Sequence, residues 1–124
     1  MKKTQIYQIT DCQFGFFEEN LGWDIEKERL LQAIQYINTQ KPDALVITGD
    51  LTHSTPSNGV YHEQVQSFKD VMSTLNPSIQ LKLLCGNHDV ENTPTKDHLR
   101  SFENHFGSLY SKLEFNGVTL ICIN

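Results

Sequence analysis

The alternation of two hydrophobic periods along the chain constrains its fold most strongly. Short apolar runs at 5–10, 44–48 and 79–84 have the composition of buried strands. The two segments between these runs carry apolar residues three and four positions apart, which is typical of helices that cover a sheet. This order predicts parallel strands joined by right-handed helical crossovers, and therefore an α/β domain.

The helical segments carry start and stop signals. Asp24 is placed to cap the first helix, and the Asn-Pro pair at 76–77 is placed to stop the second. A shorter third helix is predicted before Gly107, a residue type that commonly ends helices. Beyond it, strand-like runs at 110–115 and 118–123 flank an Asn-Gly pair, which predicts a β-hairpin. The predicted order is therefore βαβαβα followed by a C-terminal hairpin.

The length and charge of the chain narrow its class. Its 124 residues suit one domain, and its formal net charge of −5 argues against a nucleic-acid or anionic-membrane partner, since both favour a basic face. No run reaches the roughly 18 apolar residues of a membrane span. The three widely spaced cysteines, Cys12, Cys85 and Cys122, do not suggest a disulfide framework. A reducing, cytoplasmic location is therefore expected, and the oligomeric state stays open.

Polar residues follow each of the three predicted strands. Asp11 and Gln13 follow the first, Asp50 follows the second, and a Gly-Asn-His-Asp run at 86–89 follows the third. In parallel α/β sheets, ligands bind beyond the carboxyl ends of the strands. These residues are therefore expected to meet at one edge of the sheet and to form a site there.

Two carboxylates and two amides in this group indicate a metal site. Asp11 and Asp50 would repel each other unless they shared a proton or a cation. The amide oxygens of Gln13 and Asn87 favour the cation, because a neutral carbonyl oxygen is a useful ligand for a hard metal ion. Two ions roughly 3.5–4 Å apart would clamp a phosphate ester and activate water for attack on it.

The three polar segments together resemble a known family. Asp-x-Gln at 11–13, Gly-Asp-Leu-Thr-His at 49–53 and Gly-Asn-His-Asp at 86–89 are similar to the first three sequence blocks of the calcineurin-like metallophosphoesterases in order, spacing and strand context. The stretches at 10–15 and 92–95 are similar to a serine/threonine phosphatase subgroup of that family. The resemblance extends over essentially the whole chain.

The resemblance implies two divalent metal ions and a role for each matching residue. Asp11 and Gln13 would hold the first ion, and Asp50 would bridge both. Asn87 would bind the second ion and contact the phosphate. The family usually has histidine where this chain has Gln13, and an amide oxygen favours Mn, Mg or Fe relative to Zn. The identity of the metals stays open.

His88 and Asp89 are the predicted catalytic residues. His88 would contact the substrate and protonate the leaving oxygen or neutralise its charge, while Asp89 would fix the tautomer of His88. His53 follows the bridging aspartate closely, and is either a further substrate contact or a surface residue.

The family's later histidine ligands, including a Gly-His-x-His block, have no counterpart in this sequence, and no histidine follows His105. The resemblance therefore implies the N-terminal half of a four-layer αββα sandwich. Residues 1–124 would form a single partial domain that is truncated at its C-terminus. Such a fragment is expected to be inactive or very weakly active by itself.

The candidate residues also have purely structural explanations. Asp11 and Asp50 are of a type common in turns that cap the following segment, and Gln13 is compatible with an exposed loop. Residues 87–89 are compatible with an ordinary turn, and Cys12 is either a redox-sensitive thiol or a small buried residue. The loop after the first strand is unusually aromatic, which indicates core packing or an apolar wall of the substrate cleft. Its aromatic residues are Phe14, Phe16, Phe17 and Trp23.

The predicted function is hydrolysis of a phosphate monoester, and the subgroup resemblance implies phosphoserine or phosphothreonine in protein as the substrate. Two alternatives stay open. One is a phosphodiesterase that acts on nucleotides or phospholipids, since the same three blocks serve both reactions. The other is a metal-free binding module that keeps the fold without the later ligands.

Overall fold

Three parallel strands form the centre of the structure, which is a computed structural model that describes residues 3–124. Residues 1–2 of the predicted domain lie outside the described range. The elements in chain order are β1 (Ile6–Ile9), α1 (Asp24–Gln40), β2 (Ala44–Thr48), α2 (Tyr61–Met72), β3 (Gln80–Leu84), α3 (Asn87–Val90), α4 (Lys96–Phe106), β4 (Ser111–Phe115) and β5 (Val118–Cys122).

The parallel sheet has the strand order β1-β2-β3, with Ile6 opposite Ala44 and Ala44 opposite Gln80. This arrangement confirms the predicted α/β class. β4 and β5 form a separate antiparallel pair. The turn between them places Asn116 at φ 50° and Gly117 at φ 78°, which are values that a tight hairpin turn requires and that Asn and Gly tolerate. The predicted hairpin is therefore confirmed.

The core lies between the sheet and the first two helices. Alternate residues of β2, Leu45 and Ile47, are fully buried together with Ile34 of α1 and Phe68 of α2. Their burial follows from the strand period of two and the helix period of 3.6, which place one apolar face of each element toward the others. The opposite face of the sheet, which includes Val46, borders a cavity of about 260 Å³ beside β5.

Two helix boundaries differ from the predictions. Asp24 is the first residue of α1 rather than its cap, and the N-cap residue is Trp23, which makes no side-chain capping bond. α2 ends at Met72, before the Asn-Pro pair. The hydroxyls of Ser73 and Thr74 donate to carbonyls three residues earlier, at 2.6 and 2.7 Å, and so compete with continuation of the helix. Gly107, at φ 96°, ends α4 as predicted.

His105 on α4 gives the fold a testable response to pH. Its ring lies 5.6 Å from that of His62 on α2, and burial, Lys69 and His62 lower the pKa of His105 below its ordinary value of 6.5. When the pH falls through 6.5, the unfolded chain therefore takes up a proton before the folded chain does, and the folded state loses stability. We expect His105→Gln to lose less unfolding free energy than the wild type between about pH 7.5 and 5 in denaturant titrations. Parallel losses in the two proteins would contradict this expectation.

Candidate metal centre

The loops that follow the three parallel strands are joined at one edge of the sheet. The backbone N–H of Asp11 donates to the carbonyl of Gly49 at 3.1 Å, and that of Gln13 donates to the carbonyl of Asp50 at 2.9 Å. The backbone N–H of His88 donates to Asp50 Oδ1 at 3.1 Å. The polar residues that the sequence placed after separate strands are therefore neighbours in space, as the topology predicts.

Three of the candidate ligands have backbone conformations that are uncommon for residues with side chains. Asp11, Gln13 and Asp50 have φ values of 55°, 39° and 50°, in the left-handed region. This region costs roughly 1–2 kcal/mol for a residue other than glycine, although Asp tolerates it better than most. Conformational strain of this kind concentrates at functional sites, where the surrounding structure holds it in place.

The side chains of Gln13 and Asp50 lie at a separation that suits a shared cation. Gln13 Nε2 is 3.3 Å from Asp50 Oδ2. Rotating the amide by half a turn exchanges its nitrogen and oxygen, so that a second oxygen would occupy this position. Two oxygen ligands of one hard divalent cation lie about 3 Å apart, which follows from metal–oxygen distances of about 2.1 Å. These two donors therefore fit a common metal ion.

Asn87 begins the helical turn that follows β3, and its side-chain amide is hydrogen-bonded to a nearby residue. Asn87 Nδ2 donates to Asn92 Oδ1 at 2.8 Å, which leaves Asn87 Oδ1 available as a ligand. Sequence reasoning missed this supporting contact, although Asn92 belongs to a stretch that it had singled out. Within residues 3–124, no three His, Cys, Asp or Glu side chains are grouped to hold a metal ion.

His88 is oriented by the backbone of the loop after β2. Its Nδ1 contacts the carbonyl oxygen of His53, and because a carbonyl only accepts hydrogen bonds, the proton belongs on Nδ1. The two imidazole rings are stacked, with centroids 5.1 Å apart and planes inclined by 22°. Phe16 meets the His53 ring edge-on at 5.4 Å. His53 thus holds His88 in place through its carbonyl, a role that sequence reasoning did not predict.

The prediction that Asp89 orients His88 was wrong. Asp89 Oδ1 accepts backbone N–H bonds from Leu51 and Thr52 at 2.9 and 3.3 Å, and Oδ2 accepts one from Gly86 at 2.8 Å. The reason is that residues 87–90 form the helical turn α3, where adjacent side chains do not face the same way. Asp89 instead ties together the loops after β2 and β3.

Two opposing effects act on the pKa of the Asp89 carboxyl. Complete burial raises the pKa of its carboxyl to about 6, and the three backbone donors act against that rise. The net direction is upward because desolvation outweighs the hydrogen bonds.

The aromatic residues of the loop after β1 divide between the core and the border of a surface cavity. Phe14 is fully buried in the core against Phe68, whereas Phe16 and Phe17 are each 51% exposed. The exposed pair borders a cavity of about 400 Å³ that Asp11 also lines.

Cys12, which the sequence left open as a redox-sensitive thiol or a small buried residue, does not have the pKa of a reactive cysteine. Burial raises the pKa of its thiol to about 12, which is opposite to the shift of a redox-reactive cysteine.

A three-stranded parallel sheet with carboxylates, amides and a histidine at its carboxyl edge defines an α/β domain with a candidate ligand site where such sheets bind ligands. The fold is similar to the crystal structure of a dimetal phosphatase from Danio rerio, with a TM-score of 0.54 and 17% sequence identity. The match covers 80% of this chain and 32% of that chain. This match supports the fold of the chain and nothing beyond it.

Residues 4–123 match the family model of the calcineurin-like phosphoesterases, and the chain belongs to that family. Divalent metal ions are implied by this membership. The resemblance noted in the sequence is thereby confirmed.

Curated relatives narrow the comparison further. The chain is 34% identical over 120 residues to the serine/threonine-protein phosphatase CPPED1 of Danio rerio, and 34% identical over 116 residues to that of Homo sapiens. These matches cover 95% and 92% of this chain, but only 38% and 36% of the two relatives. A probable cyclic nucleotide phosphodiesterase of Ruthia magnifica is 35% identical over 96 residues, which are 74% of this chain and 36% of that protein.

No helix within residues 3–124 has the length and apolar character needed to cross a membrane.

Proposed function

We propose that this chain belongs to a metal-dependent phosphatase that hydrolyses phosphate monoesters, with phosphoserine and phosphothreonine in proteins as its substrate class. The observation that carries the proposal is the meeting of Asp11, Gln13 and Asp50 with the Asn87–His88 turn at one sheet edge. Membership of the calcineurin-like family supports hydrolysis of phosphoesters. The names of the CPPED1 relatives support the monoester and the protein substrate.

Each candidate ligand at the sheet edge would have its own part in binding the two metal ions. Asp11 and Gln13 would hold one ion, Asp50 would contribute to both, and Asn87 would hold the second. When bound, the ions would neutralise phosphate charge and lower the pKa of water. Because all four donors are oxygens, Mn, Mg or Fe is favoured over Zn.

His88 supplies the proton in this proposal. Its Nδ1 proton is engaged by the His53 carbonyl, so Nε2 is the atom that would face the substrate. In the imidazolium form, Nε2–H would donate to the oxygen of the leaving alcohol as the P–O bond breaks.

His88→Asn tests this role. In the protein encoded by the complete reading frame, we expect the substitution to lower kcat on a phosphoserine peptide by about 10²–10⁴ and to leave metal content unchanged. Steady-state kinetics and metal analysis of the same preparations provide the measurement. His62→Asn is the matched control, since His62 is an exposed histidine on α2. Equal turnover of the wild type and His88→Asn would contradict the assignment.

A phosphodiesterase is the second candidate, and the match to the probable cyclic nucleotide phosphodiesterase favours it. Both reactions use the same three segments, so a direct comparison of substrates separates them. We propose to measure kcat/KM for a phosphoserine peptide, a cyclic nucleotide and a phospholipid diester under the same metal conditions. A preference for either diester would replace the monoester proposal. Metal-independent binding without turnover would indicate the non-catalytic module.

A further inference from the structure

The cavity beside Asp11 has features that the proposed chemistry does not use. It lies between the loop after β1 and the first half of α1, and its volume of about 400 Å³ is far larger than a phosphate group needs. Asp11 and Gln13 are among its lining residues, so the cavity adjoins the candidate metal centre. Its remaining lining includes Phe16, Phe17 and Leu30. A substituent of the phosphate could therefore extend into it.

An aromatic row connects this cavity to the candidate acid. Ring centroids are 5.1 Å apart from His88 to His53, 5.4 Å from His53 to Phe16, and 5.5 Å from Phe16 to Phe17. Phe16 and Phe17 are half exposed although both are large and apolar. Half-exposed aromatic rings beside a polar site are typical of surfaces that bind an apolar group of a ligand.

Glu26 provides a second and independent observation. Its side chain lines the cavity and is only 5% exposed, and Oε1 accepts the backbone N–H of Phe17 at 2.9 Å. Oε2 has no hydrogen-bond partner within residues 3–124. A buried carboxylate oxygen without a donor is costly, and a ligand N–H would satisfy it.

Arg29 adds a charge at the same cavity. Its guanidinium lies 4.7 Å from the centre of the Phe17 ring, and it forms no ion pair with the residues that the structure describes. In a chain with a net charge of −5, this cation is suited to an acidic group on the ligand. The cavity therefore offers an apolar wall, a hydrogen-bond acceptor and a cation.

We infer that this cavity is a subsite for the peptide segment next to the phosphorylated residue. An apolar side chain packs on Phe16 and Phe17, a backbone N–H donates to Glu26 Oε2, and an acidic side chain pairs with Arg29. A peptide carries all three groups along one chain, and a phosphoprotein is the substrate class already proposed for the adjoining metal centre. The inference rests on the proposed phosphatase function and names the sequence context that the enzyme prefers.

Four phosphoserine peptides test the subsite in the protein encoded by the complete reading frame. They share one length and differ only in the residues beside phosphoserine on both sides, with Phe or Gly in the adjacent positions and Asp or Lys in the next. Free phosphoserine is a further substrate that has no flanking residues, although it keeps an amino group and a carboxyl group of its own. We expect kcat/KM to be about five- to tenfold higher for Phe than for Gly, and for Asp than for Lys.

Variants assign each preference to its residue. Phe17→Ala should abolish the preference for Phe, and Arg29→Glu should reverse the preference for Asp over Lys. Glu26→Gln should lower kcat/KM for all four peptides by a similar factor. Leu21→Ala is the control, because Leu21 is a 92% exposed apolar residue of the same loop. Leu21→Ala should change the hydrolysis of neither free phosphoserine nor the four peptides.

The experiment distinguishes a failure of the subsite from a failure of the proposed phosphatase function. If the wild type hydrolyses free phosphoserine and all peptides, and Phe17→Ala and Arg29→Glu keep its preferences, the subsite is wrong and the phosphatase function stands. If the wild type with added Mn²⁺ hydrolyses neither free phosphoserine nor any peptide, the proposed function fails and the subsite fails with it.

Discussion

Replacing Asp50 by Asn is expected to abolish metal-dependent hydrolysis. Asp50 is placed to contribute to both metal positions, and its carboxylate oxygens already face two donors, the backbone N–H of His88 and the amide of Gln13. Asn would remove the negative charge and replace one carboxylate oxygen with an NH₂ group, so that at most one of the two hydrogen bonds could still be accepted. Loss of a residue that supports a metal ligand usually costs 10–100-fold, so loss of the ligand itself should lower kcat/KM by more than about 100-fold.

The measurement is steady-state hydrolysis of a phosphoserine peptide at saturating Mn²⁺, together with calorimetric titration of the metal. Asp70→Asn is the control, because Asp70 is an exposed acid on α2 whose carboxylate accepts a hydrogen bond from Gln66 in the same helix. Unfolding free energies of both variants show whether the fold is intact. Full activity of Asp50→Asn in a folded protein would mean that the two-metal assignment is wrong.

Gly86→Ala is expected to damage both the fold and the metal centre. A Cβ atom at Gly86 would lie 2.1 Å from Asp50 Oδ1 and 2.5 Å from the backbone nitrogen of Asp50. The φ of Gly86 is −103°, which alanine adopts freely, so the effect comes from crowding and not from backbone strain. Overpacking of this kind costs about 1–3 kcal/mol, and here it also displaces a candidate ligand.

Gly59→Ala is the matched control, because a Cβ atom there would meet nothing within 4 Å. We expect Gly59→Ala to change the unfolding free energy by less than about 0.5 kcal/mol. Gly86→Ala should lower it by the larger amount and weaken Mn²⁺ binding in the same titration. Similar behaviour of the two variants would contradict the close packing of Gly86 on Asp50.

The sequence predicted the fold well where the signals are local. Strand β2 matches its predicted limits of 44–48, and the Asn-Gly pair at 116–117 forms the turn of the hairpin. The period of apolar residues and the residue preferences of a turn are set within a few positions of the sequence, and the tertiary contacts agree with both. The end of α2 was less predictable, since the hydroxyls of Ser73 and Thr74 compete for its last carbonyls. α3 was missed because one turn carries no periodicity.

The candidate site was predictable in its residue types and less so in its contacts. Asp11, Gln13 and Asp50 follow strands whose ends must meet, so topology alone placed them together. The role of Asp89 depends on backbone N–H groups of the loop after β2, and that of His53 depends on its carbonyl. Every residue has these backbone groups, so no sequence pattern marks the ones that a tertiary contact will use.

Metal dependence of phosphoserine-peptide hydrolysis is the most direct test of the account. The protein encoded by the complete reading frame is stripped of metal with a chelator, and its initial rate is measured before and after Mn²⁺ is restored. We predict a rate indistinguishable from background in the stripped protein and full recovery with Mn²⁺. Undiminished hydrolysis by the stripped protein, or no hydrolysis after Mn²⁺ is restored, would contradict a metal-dependent phosphatase built on Asp11, Gln13, Asp50 and Asn87.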